Sequence, residues 1–235
     1  GRRARTCREG RPGMITVYGY IGAPSAELRE AVAGASLVVG GQRHLDALGV
    51  PDDRRIVLGR IGPAIDALQE LPAEARAVVI ASGDPLFYGV VRRIRAAGLK
   101  VRVVPTVTSL QLAFAAVALP WDDALLASAH GNDPAPALAA CRVHPKVGLL
   151  TDPTVGLPQI VAATAGLGRT YVLAERLGEP DERVRVLTEQ DAAAIGEIVQ
   201  PNVVLVLAHH PDDPAALGEQ APIAGGVRPT QQELS

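Results

Sequence analysis

Cysteine is scarce in this chain: Cys7 and Cys141 are the two among 235 residues. They give no disulfide framework and no zinc-ligand spacing, which fits a reducing compartment and hence the cytoplasm. No run approaches 18 consecutive apolar residues, so no membrane-spanning helix is expected. Lysine is almost missing, Lys100 and Lys146 being the two, and arginine supplies the rest of 23 basic residues. Against them stand 25 acidic residues, a formal net charge of −2, which lacks the basic excess of a dedicated nucleic-acid binder. The dinucleotide fingerprint GxGxxG, the phosphate loop, the nucleophile elbow and the zinc-protease pattern do not occur. What is there is ordinary for a globular protein: 48% of residues are hydrophobic and 20% charged, enough apolar surface to exclude wholesale disorder.

Residues 1–13, GRRARTCREGRPG, carry five arginines against one glutamate and no apolar period. They stop at Met14, the single methionine, which reads as the true start of the protein, with residues 1–13 as upstream translation expected to be disordered. A twin-arginine export signal is the rival reading of Arg2-Arg3. The stretch Met14 to Ala23 that would serve as its apolar core holds two tyrosines and two glycines, which suits that role poorly.

From Met14 onward, short β-branched runs alternate with Ala/Leu/Arg stretches of helical period, the pattern of an α/β fold. Strands are expected at 15–18, 36–39, 55–58, 77–81 and 101–104, with helices starting near Ser25, Gln42, Pro63 and Gly89. Ser25 is placed to cap the first helix. A helix over 109–118 stops at Leu119-Pro120. A second alternating block follows, with strands at 125–129, 147–150, 171–175, 183–187 and 203–208, and helices near 134–140, 157–164 and 192–199. This predicts two α/β lobes, residues 14–118 and 119–210, with a small-molecule cleft between them. Residues 211–235, rich in Pro, Gly and Gln, read as a loose tail. There is no internal repeat.

Two segments carry a chemical signal. The first strand runs into Gly19-Tyr20-Ile21-Gly22-Ala23, where glycines let backbone approach a ligand before a helix begins. A tight strand-to-helix turn would look the same. Ala81-Ser82-Gly83-Asp84-Pro85-Leu86-Phe87-Tyr88-Gly89 is the stronger signal, a glycine-bounded turn with an aromatic pair at the carboxyl end of a strand. Asp84 there either caps the next helix or accepts from a ligand hydroxyl or ammonium, and the carboxyl end of a strand is where open α/β sheets bind ligands. Metal binding is not expected. His209-His210-Pro211-Asp212-Asp213 follows the last strand as a solvated turn, and Cys141 reads as a small core residue.

The segment SGDPLFYG resembles the GDPxxYG loop of the tetrapyrrole (corrin and sirohaem) methylases, which use S-adenosyl-L-methionine. Val39-Gly40-Gly41-Gln42-Arg43-His44-Leu45, Thr108-Ser109-Leu110-Gln111, Leu119-Pro120-Trp121-Asp122-Asp123, Ser128-Ala129-His130-Gly131 and Glu175-Arg176-Leu177-Gly178 occur in the order seen in one branch. That branch is the precorrin-6Y/precorrin-7 methyltransferases of cobalamin biosynthesis, and the resemblance spans about residues 14–210. It implies two α/β lobes holding S-adenosylmethionine, methyl transfer to carbon 5 of a precorrin-7 or cobalt-precorrin-7 macrocycle, and a homodimer. Carried over by motif, Gly19, Gly22, Gly83, Asp84, Phe87, Thr108 and Ser109 would bind the cofactor, with Leu150 and Ala208 completing its pocket. Arg43, His44 and Arg176 would meet the substrate and its carboxylates. His130 is the first candidate for a catalytic base and Glu175 the second.

The chain departs from the family in places. GYIGAPS replaces the usual GIG with an acidic residue after it, and Asn132 follows Gly131 where the branch usually has arginine. Many relatives continue into a second domain that methylates carbon 15 with decarboxylation. No such domain is read in these residues, so either it is a separate protein partner or this is a truncated or diverged member, and carbon-15 methylation is not assigned to the chain. Two alternatives accompany the carbon-5 reading. The same scaffold could methylate a different small acceptor, or serve as a non-catalytic binding partner.

Overall fold

The computed structural model describes residues 14–129 and 133–218. Its first unit is built on five strands: β1 (Met14–Tyr20), β2 (Leu37–Gly40), β3 (Arg55–Val57), β4 (Arg76–Ser82) and β5 (Val101–Val104). They form one sheet in the order β3-β2-β4-β1-β5, and every pairing is parallel. A parallel sheet needs crossover helices on its faces, so its central strands are apolar on both sides. β4 shows this, buried continuously from Ala77 to Ala81.

The crossovers are α1 (Ala26–Ala33), α2 (Gln42–Ala47), α3 (Ile61–Gln69) and α4 (Val91–Ala96). Ser25 caps α1 as the sequence suggests, its hydroxyl accepting from the Leu28 amide at 3.1 Å. Leu28 and Val32 of that helix pack on Tyr18, Val38, Val78 and Ile80. Ala64 and Leu68 of α3 and Val91 and Ile94 of α4 pack with Ile15, Val17, Val39 and Val79 on the opposite face. Each fully buried aliphatic side chain contributes about 1.5–3 kcal/mol, and the two layers fix which end of the sheet carries the long loops. Because all five strands run the same way, the loops after β1, β2 and β4 and the segment after β5 leave from one edge.

The second unit begins at Ser109. It contains α5 (Ser109–Ala116), β6 (Leu125–Ser128), α6 (Ala135–Val143), β7 (Lys146–Leu150), α7 (Leu157–Ala163), β8 (Thr170–Glu175), β9 (Arg183–Leu187), α8 (Glu189–Ala193) and β10 (Asn202–Leu207). α5, placed by sequence with the first lobe, packs here: a Cβ on Gly148 of β7 would meet Leu110 Cδ1 at 3.2 Å and Phe114 Cε2 at 3.3 Å. The other face is covered by α6, α7 and α8 through Cys141, Leu157, Ile160 and Ala192.

This sheet is mixed, in the order β6-β7-β10-β8-β9. β6 and β7 are parallel, whereas β10 is antiparallel to both of its neighbours and β8 to β9. α8 starts earlier than the expected 192–199. Thr188 and Asp191 cap it reciprocally, the Thr188 hydroxyl accepting from the Asp191 amide at 3.1 Å and donating to Asp191 Oδ2 at 2.7 Å.

The stretch through Gly218, read from sequence as loose tail, is tied down. Lys146, 3% exposed, donates from Nζ to Asp123 Oδ1 (2.6 Å), Pro120 O (3.0 Å) and Leu217 O (3.3 Å). A buried ammonium needs such partners, and that requirement draws the 214–217 turn onto the sheet.

Candidate functional site

In the first unit the sequence-predicted residues gather on the carboxyl edge of the parallel sheet. β1 and β4 are neighbours there, and the helices that follow them leave to opposite faces of the sheet, α1 to one and α4 to the other. Such a divergence opens a crevice in α/β sheets. Gly19 lies within it under close contact. A Cβ at that position would sit 2.6 Å from Thr106 Cγ2, 2.9 Å from Gly83 O and 3.0 Å from Thr106 N. Only glycine lets the three loops approach this far. Gly22 takes φ +67° and Gly83 φ +69°, and the Gly83 amide donates to Tyr20 O at 2.9 Å, which joins the β1 and β4 loops.

The SGDPLFYG loop is held by its own aspartate. Asp84 Oδ1 accepts from the Leu86 amide at 2.7 Å and Asp84 O from the Phe87 amide at 3.2 Å. Gly89 closes the turn where a Cβ would run into the Pro85 carbonyl. Asp84 is partly exposed, and its Oδ2 has no hydrogen-bond partner among the described residues. That leaves a carboxylate oxygen on the edge able to accept from a hydroxyl or ammonium. Phe87 and Tyr88 meet edge to face at 5.0 Å, and Tyr88 holds φ +51°, a strained angle for an aromatic residue.

Arg43 and His44 reach the same edge on α2. Arg43 is exposed, but His44 is buried to 7% and packs its ring on Tyr20, centroids 4.6 Å apart. Burial, reinforced by the Arg43 charge, pushes the His44 imidazolium down to about 4, so the ring is neutral at ordinary pH. Thr108 closes the first unit and Ser109 opens the second, both partly buried.

In the second unit the mixed sheet decides which residues share an end. Leu150 pairs with Val203 and Asn202 with Glu175, so Leu150, the start of β10, Glu175 and Arg176 lie together. Ala208 does not join them. Its amide donates to Pro145 O at 2.7 Å, at the far end of β7, roughly 17 Å from Leu150 at ~3.4 Å per strand residue. The grouping expected from sequence separates because β10 runs against β7.

Glu175 is 1% exposed and both its oxygens are engaged: Oε2 accepts from Arg185 Nη2 at 2.9 Å, Oε1 from the Val199 amide at 2.7 Å. That is the environment of a group holding β8, β9 and the approach to β10 together. Arg176 stands at φ +50°, its amide bonded to Pro201 O at 2.8 Å and its Nε to Asp181 at 2.7 Å. The Asp181 carboxylate raises its already high pKa. His130, with Gly131 and Asn132, lies outside the described residues.

Sequence reasoning missed Thr106, which touches Gly19, Tyr20, which supports His44, and the Thr151–Asn202 pair. Thr151 Oγ1 donates to Asn202 at 2.7–2.8 Å beside Leu150. The PTVTS stretch after β5 was the one available signal for Thr106, while the Asn202 pairing needs the strand direction. No cluster of three or more His, Cys, Asp or Glu side chains suited to a metal ion occurs among the described residues, and no described helix is long and apolar enough to cross a membrane.

A sequence profile described as Tetrapyrrole (Corrin/Porphyrin) Methylases matches residues 25–193. The chain is 30% identical over 205 residues to the cobalt-precorrin-7 C(5)-methyltransferase of Salmonella typhimurium, covering 83% of this chain and 98% of that one. Its fold resembles the precorrin-6Y methylase of Archaeoglobus fulgidus, with TM-score 0.61 and 23% identity over 83% of this chain and 97% of the other. It also resembles the Thermus thermophilus uroporphyrin-III C-methyltransferase complexed with S-adenosylhomocysteine, at TM-score 0.61 and 19% identity, covering 83% and 92%.

Proposed function

Because the chain belongs to the tetrapyrrole methylase family, we propose that it transfers the methyl group of S-adenosylmethionine to carbon 5 of a precorrin-7-type macrocycle in cobalamin biosynthesis. The observation that carries this reading is the match along almost the entire length of the Salmonella relative. The local geometry fits the cofactor. A glycine-lined edge, with Asp84 Oδ2 open to a hydroxyl or ammonium, suits a ligand that carries both.

When bound, the cofactor supplies a methyl group already activated as a sulfonium, so side-chain demands are modest. In the first unit Gly19, Gly22 and Gly83 would let backbone reach the ligand, and Asp84, Phe87 and Thr108 would hold it. The chain's main task is alignment, and holding carbon and methyl in line contributes several of the roughly 7–11 kcal/mol available from proximity. Arg43 and Arg176 meet substrate carboxylates, for which a forked guanidinium is suited. His130 is the first candidate for a base that takes up a proton around the transfer, and Glu175 the second. The enzyme works in the cytoplasm as a homodimer.

Two measurements test this. Isothermal titration of S-adenosylhomocysteine should show micromolar binding, lost in Asp84→Arg. Methyl transfer should then be followed with precorrin-7 and cobalt-precorrin-7 beside an unrelated tetrapyrrole. Binding without transfer to either precorrin points to another acceptor, and absence of binding by folded protein overturns the methyltransferase reading.

A further inference from the structure

Arg43 and His44 are consecutive on α2, and consecutive helix residues do not face each other. Here they meet nonetheless, with Arg43 Nη2 3.4 Å from His44 Nε2. The exposed guanidinium folds back over a ring that is 7% exposed. A guanidinium carries only donors, so Nε2 is the acceptor and the imidazole is neutral with its proton on Nδ1. Burial agrees with that state. The ring is fixed on its other side by Tyr20, tilted 51° to it, at the end of β1. His44 thus connects the strand leading into the glycine loop with Arg43. It is too buried to offer a ligand much surface, and its weak basicity suits no proton transfer near neutral pH. Its route to the acceptor runs through its neighbour.

We propose that His44 is a positioning residue, whose neutral ring sets the direction in which the Arg43 guanidinium meets an acceptor carboxylate. This rests on the reading above, in which Arg43 is a carboxylate partner. A histidine in this place differs from another apolar ring by presenting one acceptor at a fixed height above Tyr20.

The test has two readouts on the full chain. Nitrogen-15 shifts of His44 at pH 7 report the tautomer without any acceptor present. Unprotonated Nε2 is expected in the wild type, shifting toward a tautomer mixture in Arg43→Ala, and a protonated Nε2 in the wild type overturns the proposal. In kinetics, His44→Phe keeps a ring against Tyr20 and removes the acceptor atom. It should raise acceptor KM about tenfold, the size of one net hydrogen bond to a charged group. The kcat should stay within about twofold, and S-adenosylhomocysteine affinity should not change. In an Arg43→Ala background the same substitution should add nothing, since the two act as one unit. His44→Gln, whose amide oxygen accepts, should restore most of the KM and serves if the Phe variant does not fold. If Arg43→Ala raises KM and His44→Phe does not, the positioning role is wrong and the carboxylate role stands. If neither raises KM, Arg43 does not hold a carboxylate and both fall.

Discussion

Gly19→Ala should separate the site from the stability of the sheet that carries it. The added Cβ would meet Thr106 Cγ2 at 2.6 Å, and that methyl can rotate away. Gly83 O at 2.9 Å and Thr106 N at 3.0 Å are backbone and cannot. Relief therefore requires the loops after β4 and β5 to retreat from β1 by several tenths of an ångström. Overpacking of this kind costs about 1–3 kcal/mol. The smaller conformational freedom of alanine in the unfolded chain returns ~0.4–1 kcal/mol, leaving a net destabilisation of about 1–2 kcal/mol. The matched control is Gly49→Ala in the same unit, at φ +63° with nothing within 4 Å of the new Cβ. It incurs the left-handed backbone cost, ~1–2 kcal/mol, with no steric push on any loop. Both variants should melt below the wild type. Their response to S-adenosylhomocysteine should differ. At a ligand concentration of 100 Kd for the wild type, binding adds about 2.7 kcal/mol, and Gly49→Ala should keep all of it. Gly19→Ala should lose most of it, because the displaced Gly83 and Thr106 backbone forms the edge the ligand would touch. Full ligand stabilisation in Gly19→Ala would refute the reasoning that this close approach shapes the binding edge.

Three further outcomes are expected. Glu175→Gln leaves the Arg185 guanidinium without its buried carboxylate and should cost roughly 3 kcal/mol in urea unfolding, with kcat of the folded enzyme nearly unchanged. A loss of 10²–10⁴ in kcat with intact stability would identify Glu175 as a general base after all. The His44 imidazole holds its proton only near pH 4 when folded and near 6.5 when unfolded, so the unfolded state takes up the proton first as pH falls. Stability should be full above about pH 6.5 and decline by up to roughly 3 kcal/mol toward pH 4, a slope that His44→Phe should flatten in denaturant titrations. The Cys141 thiol is fully buried and pushed up to about 11 by that burial. A Cys7→Ser protein should resist an aromatic disulfide reagent at pH 8 until unfolded, and rapid labelling of the native state would contradict its place in the core.

The first unit was legible because its rules are local. Each strand of a parallel sheet is buried on both faces, so β4 reads as the run Ala77 to Ala81, and each crossover announces itself by helical period and by a cap such as Ser25. A parallel sheet also orders its ends, so Gly19, Arg43 and Asp84, far apart in sequence, were brought to one edge by strand direction alone. The second unit follows a rule the sequence does not display. β7, α7 and β8 have the pattern of a crossover between neighbouring parallel strands, yet β10 lies between β7 and β8, antiparallel to both. Nothing in Asn202–Leu207 distinguishes the two directions, since a strand buried along its whole length has no alternation to betray its orientation. That one reversal sends Ala208 to the far end and brings Asn202 to Leu150 and Glu175. The surroundings of Glu175 were hidden for a related reason. A lone carboxylate at a strand end looks free until its diagonal cross-strand partner is known, and Arg185 stands two residues along β9 from Arg183, which faces Glu175 in the register. The RVRVL alternation of β9 did advertise a line of arginines on one face. Only the antiparallel pairing of β8 with β9 says which buried acid that line must neutralise.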